Sequence, residues 1–157
     1  MRNTALILLL TVSGWGGDAF GTWTMDLARS TANPDPQPKS ITIRIEPHDK
    51  GEVFTLDETD RNGRSTTSST ILYLDNKSRD FQGFECSGSQ SSRRLDTQTV
   101  EILRTCVTGE WTRLVRRVST KAGELILEIS HRQPDGRHSE RRLVLEKQMA
   151  SETRQLR

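Results

Sequence analysis

From Phe20 onward the apolar positions repeat with a period of two, the spacing of strands that bury one face. In residues 40–46, Ile41, Ile43 and Ile45 share one face while Thr42, Arg44 and Glu46 share the other. Residues 52–58 repeat the arrangement with Phe54 and Leu56, residues 124–130 with Leu125, Leu127 and Ile129, and residues 141–147 with Leu143 and Leu145. Residues 69–75 carry apolar side chains on both faces, Ile71 and Tyr73 opposite Leu72 and Leu74, and the inward face is assigned to Ile71 and Tyr73. No stretch keeps a 3.6-residue apolar period over two turns.

Turn-forming clusters divide these runs: PHDKG, DRNG, DTQT, TGE, TKAG and QPDG. In the last, Pro134 presets φ for a tight turn and Gly136 accepts its exit. The spacing predicts about ten short strands joined by hairpins, an antiparallel meander. Left open, such a meander would expose two edges, and curling it into a barrel removes them. The expected fold is therefore an all-β, antiparallel up-and-down barrel of about 8–10 strands. The serine- and glycine-rich residues 78–92 interrupt the alternation, and residues 149–157 show none, which marks them as a tail.

Composition supports one such unit. At 157 residues, with 32% hydrophobic and 28% charged side chains, the chain suits a single domain whose strands each keep one wet face. The formal charge is +2, from 23 basic and 21 acidic residues, so nucleic acid is not expected as a partner. The start of the chain changes the picture more. Arg2, the apolar residues 5–12 and the small residues that follow have the layout of a secretory signal peptide, too short to span a bilayer. Gly17 and Ala19 set the expected cleavage after residue 19, so the expected division is leader 1–19, barrel domain 20–148 and tail 149–157. With no cysteine after the apolar core to carry a lipid, the expected destination is the periplasm or the exterior, with no integral membrane segment after cleavage. In an oxidising compartment Cys86 and Cys106 read most economically as one structural disulfide, two buried free thiols being the alternative.

The segment GTWTMDLARSTANPDPQPKS, with the later RRVSTKAGELILEIS and PDGR leading into LVLEKQ, resembles the lipocalins and fatty-acid-binding proteins of the calycin superfamily. It is more similar to the secreted bacterial lipocalin-like domains, and the likeness runs from Gly21 to Gln148. The resemblance implies a lipocalin-like barrel in which Gly21 and Trp23 form a structural plug at one end, with Arg141 or Arg142 stacked on the indole. It also implies a departure. Fatty-acid-binding proteins insert two lid helices after the first strand, and residues 28–40 are too short and too proline-rich to make them. Arg116 falls at one of that family's carboxylate-binding arginines, but Leu143 and Leu145 stand where its other arginine and tyrosine would be, so fatty-acid binding does not carry over.

Candidate chemistry is sparse. Arg116 shares a face with Leu114 and Val118, which points it inward and demands an internal carboxylate or an anionic ligand, unless it reaches solvent at the rim. The opposite parity would turn Trp111, Arg113, Val115 and Arg117 inward and bury more charge. If QPDG closes a four-residue turn, His131 and His138 face each other on one side, two imidazoles that could begin a zinc site; Glu140 and His48 are weak further ligands, and no metal or cofactor is expected. No nucleophile elbow, zinc-protease motif or phosphate loop is present, so an enzyme is not expected. The expected function is binding of a small, largely apolar molecule inside the barrel, lined by Ile43, Ile45, Phe54, Leu56, Ile71, Tyr73, Arg116 and Leu127. A packed barrel acting through its surface is the alternative, and an enzyme on a hydrophobic substrate a third.

Overall fold

The computed structural model describes residues 19–83, 86–119 and 123–149. The expected leader, apart from Ala19, and the expected tail, apart from Met149, lie outside the described residues. The strands are β1 (Gly21–Met25), β2 (Thr31–Asn33), β3 (Ser40–His48), β4 (Gly51–Thr59), β5 (Ser65–Leu72), β6 (Arg79–Gln82), β7 (Ser87–Arg94), β8 (Thr99–Cys106), β9 (Trp111–Ser119), β10 (Glu124–Arg132) and β11 (His138–Lys147). All ladders are antiparallel, in the order β5-β4-β3-β1-β11-β10-β9-β8-β7-β6. This is the all-β barrel the alternation predicts, with one strand more than the upper count.

The additional strand is β2, in the segment expected to be only a loop. Next to β1, β11 pairs through Leu145 and Lys147; further along, β2 takes over at Glu140, Arg141 and Arg142. Between them the chain steps out through a turn held by Asp26 and Ser30. The Asp26 carboxylate accepts from the amides of Ala28 and Arg29, and the Ser30 hydroxyl accepts from the Val144 amide. One interrupted strand thus covers the edge of β11, and no lid helix occurs among the described residues.

β5 and β6 end the path without a ladder between them. Side chains and the loop after β5 close that seam onto β7. Gln90 donates to the Thr70 hydroxyl at 3.0 Å, the Leu74 amide donates to the Ser92 hydroxyl, and the Asn76 amide donates to the Ser92 carbonyl. Leu74 and Asn76 both hold left-handed backbone angles, φ 60°, in this short crossing, a conformation that costs non-glycine residues about 1 kcal/mol or more. Nearby, Cys86 and Cys106 form the expected disulfide, tying the start of β7 to the end of β8.

The core lies between the faces that the alternation marks. Trp23, Ile41, Ile43, Ile45, Phe54, Leu72, Val100, Ile102, Leu114, Val118, Leu125, Leu127, Leu143 and Leu145 form one buried cluster. Trp23 is buried in this cluster, and the cation over its ring is Lys147, 5.4 Å from the centroid, rather than the expected Arg141 or Arg142. The register explains the correction. Lys147 lies opposite Trp23, whereas Arg141 and Arg142 pair with β2 at the far end of the strand. Gly21 leaves room for it, since a Cβ there would stand 3.0 Å from Lys147 Cε. The indole Nε1 donates to the Ala19 carbonyl at 3.0 Å.

Candidate functional site

Two regions of the interior differ in chemistry. Toward the Trp23 end the interior is solid: Ile43, Leu125, Leu127, Leu143 and Leu145 have no surface that water could touch, and Ile45 and Phe54 almost none. Ile43, Ile45, Phe54 and Leu127 therefore face inward as expected but are enclosed by protein. Leu56, inward on β4, is only half buried, and so is Ile129 on β10. These two lie beyond the packed floor, at the end that carries the β4–β5, β8–β9 and β10–β11 turns, termed the mouth.

Within the packed part Arg116 points inward with Leu114 and Val118, the predicted parity, and is 1% exposed. Its counter-ion is Glu52 on β4, also 1% exposed, with Nη1 and Oε1 2.5 Å apart. Burial lowers the guanidinium pKa, and Glu52 opposes that shift. Of the readings open for Arg116, the internal carboxylate is the one realised. The signal for Glu52 was present in the alternation, because it lies two residues before Phe54 on the same strand face.

Around the mouth the inward face turns polar. β5 contributes Thr66, Ser68 and Thr70, which share a face with Leu72 through the register Phe54↔Thr70 and Glu52↔Leu72. Ile71 and Tyr73 consequently point away from the interior, a correction to their assigned face. Alternation could not decide this segment because both of its faces carry apolar side chains, so the face is decided by the inward Phe54 and Leu56 of the neighbouring strand. Across the seam a hydrogen-bonded row continues: Thr70 to Gln90, and Gln90 Oε1 to Arg104 Nε at 2.8 Å. In the next register Arg104 stands beside Thr112, whose hydroxyl is 3.0 Å from His131 Nδ1. Arg104 also lies over the Phe81 ring at 4.5 Å, and burial pushes its pKa down to about 10. At the rim Arg141 pairs with Glu58 at 3.3 Å.

A pocket of about 350 Å³ opens at the seam, lined by Thr70, Ile71, Tyr73, Lys77, Arg79 and Gln90 among others. Ile71 and Tyr73 thus border a cavity, though a lateral one. Arg79 stacks over Tyr73 at 3.8 Å and donates to both oxygens of Asp75 at 2.8 and 2.7 Å, holding the Asp75 carboxyl well below its ordinary range.

The paired histidines do not form. His131 lies opposite Ser139, and His138 opposite Arg132. The β10–β11 turn has one residue more than QPDG requires, closing through the Gln133 amide to the Arg137 carbonyl with Gly136 at φ 88°. That extra residue places His138 on the opposite face from His131. Among the described residues no group of three or more His, Cys, Asp or Glu side chains could hold a metal ion.

Sequence reasoning passed over Gln90, Arg104, Glu58 and Lys147. Arg104 was legible, since Val100, Ile102 and Arg104 alternate on one face. Gln90 was not, because it sits in the serine-rich stretch that has no apolar period.

No protein-family model and no curated protein sequence matches the chain. Among solved structures it is similar to the zebrafish ileal bile acid-binding protein complexed with cholic acid, with a TM-score of 0.51 and 11% identity over 83% of this chain and 99% of that one. The likeness is one of fold, that of an antiparallel β-barrel.

Proposed function

We propose that the protein binds a small amphipathic molecule in the mouth half of its barrel and performs no chemistry on it. The observation that carries this is the change in lining at the mouth. Below, aliphatic side chains and the Arg116–Glu52 pair fill the interior; above, half-buried Leu56 and Ile129 border a polar wall of Thr66, Ser68, Thr70, Gln90 and Arg104. Such a site accepts an apolar body against the floor and a polar group against the wall. A wholly apolar guest would leave those polar groups stripped of water. The solved barrel of like fold contains cholic acid, which supports the reading without assigning that ligand here. We further propose that the chain is exported with a leader inside residues 1–19 that ends short of Ala19, whose carbonyl takes the Trp23 indole bond; export is supported by the Cys86–Cys106 disulfide.

The test is titration with N-phenyl-1-naphthylamine, a neutral dye that fluoresces in apolar surroundings. Saturable uptake is expected, and Ile129→Trp, which fills the mouth, should abolish it while the thermal transition is kept. Absence of saturable uptake by the wild-type protein would overturn the proposal in favour of a packed barrel that works through its surface.

A further inference from the structure

Most of the inward and seam arginines described above have a carboxylate: Arg116 has Glu52, Arg141 has Glu58, and Arg79 has Asp75. Arg104 has none among the described residues. Its Nε is used by Gln90, one face of the guanidinium is covered by Phe81, and its Nη1 and Nη2 make no protein hydrogen bond among the described residues. The Gln90 amide is itself oriented, because its nitrogen donates to Thr70 and so turns its oxygen toward Arg104. We propose that Arg104 is an anchor for an anionic head group, a carboxylate, sulfonate or sulfate ester, on the amphipathic molecule held in the mouth, with Gln90 as the positioning residue.

This rests on the mouth-binding reading above and names the chemistry of the guest. Even with its pKa pushed down to about 10, Arg104 is charged at neutral pH, so partial burial leaves a full charge with no carboxylate partner among the described residues, an arrangement that is costly unless an anion completes it. The free edge of a guanidinium offers parallel N–H donors that fit two oxygens of one oxyanion. Thr112 is the cross-strand partner of Arg104 on β9, and its hydroxyl lies 3.0 Å from His131 Nδ1. A purely structural Arg104, stacked on Phe81 for packing alone, would be indifferent to the charge of the guest.

The experiment compares two dyes with one body. 1-Anilinonaphthalene-8-sulfonate is N-phenyl-1-naphthylamine with a sulfonate added, so the ratio of the two affinities isolates the anion. The wild type is expected to favour the sulfonate by about tenfold, the scale of one charge-assisted hydrogen bond. Arg104→Met should bring the ratio close to one, and Arg104→Lys should keep part of it. Gln90→Glu, nearly isosteric, supplies an internal carboxylate beside Arg104 and should also collapse the ratio, which keeps the test open if Arg104→Met fails to fold. Folded variants that retain the wild-type ratio, or a wild type with no preference, would overturn this inference alone. A wild type that takes up neither dye would overturn the mouth reading, and this inference with it.

Discussion

Replacing Glu52 with glutamine should destabilise the barrel more than any conservative surface change, and the reason can be worked from one distance. Arg116 Nη1 and Glu52 Oε1 stand 2.5 Å apart, both side chains about 2% exposed. At an effective dielectric of about 20 such a pair attracts by roughly 7 kcal/mol. Desolvating the two ions costs several kcal/mol each, so the intact pair contributes little net stability. Glu52→Gln keeps the shape and removes the attraction while leaving the cost of burying Arg116. The expected loss is about 3–5 kcal/mol, or a fall in Tm on the order of 10 °C for a chain of this size.

Urea unfolding followed by circular dichroism, with the disulfide intact, measures this without the screening that guanidinium would add. The control is the double replacement Glu52→Leu with Arg116→Met, expected within about 1 kcal/mol of wild type or above it, because it removes both charges together. Arg116 Nε is already buried without a partner, so the native pair is incompletely satisfied and an apolar substitute has less to match. A Glu52→Gln cost below about 1 kcal/mol would refute the reasoning, since it would mean that Arg116 is hydrated or neutralised by another group.

On the outer face, Glu101 is 4% exposed and receives Arg93 Nε at 2.8 Å and Arg113 Nε at 2.7 Å. Burial pushes its carboxyl up, but these bonds prevail and hold it below the ordinary glutamate value. A depressed folded value means stability that is full above the unfolded pKa and lost as pH falls through the folded one. Wild type should exceed Glu101→Gln by on the order of 1 kcal/mol at pH 7, with the gap closing as pH falls through and below the ordinary glutamate range; parallel curves would contradict this. The disulfide spans 20 residues, so replacing both cysteines with serine should cost about 3 kcal/mol in chemical unfolding, and an unchanged midpoint would show that the seam region is constrained without it. Finally, Ala19 is buried and its carbonyl receives Trp23 Nε1. Exported protein should therefore retain Ala19, with cleavage upstream at a site such as Gly16, and an intact mass beginning at Phe20 would show that the indole finds another acceptor.

What was legible in the sequence follows from which residues carry a period. Ile41, Ile43 and Ile45 have only one way to bury three side chains, so β3 and its inward face were readable without a structure, as were β4, β10 and β11. Residues 71–74 have two ways, and their face was decided by the ladder to β4, a contact between distant residues that local pattern does not encode. His138 shows the same limit at a turn, where one added residue exchanges the two faces of every position beyond it. The mouth was hardest for a further reason. Its residues are inward yet polar, so a search for apolar side chains passes over them: Arg104 and the Thr66, Ser68, Thr70 series, like Glu52 in the packed part below, occupy the inward register and look like solvent positions. A charged side chain placed in phase with an apolar face requires either a partner or a guest. Glu52 and Arg116 answer each other, whereas among the described residues Arg104 has a glutamine and an aromatic ring but no carboxylate. An inward charge with no carboxylate among the described residues is thus a more informative position for function than the aliphatic lining that the period makes easy to find.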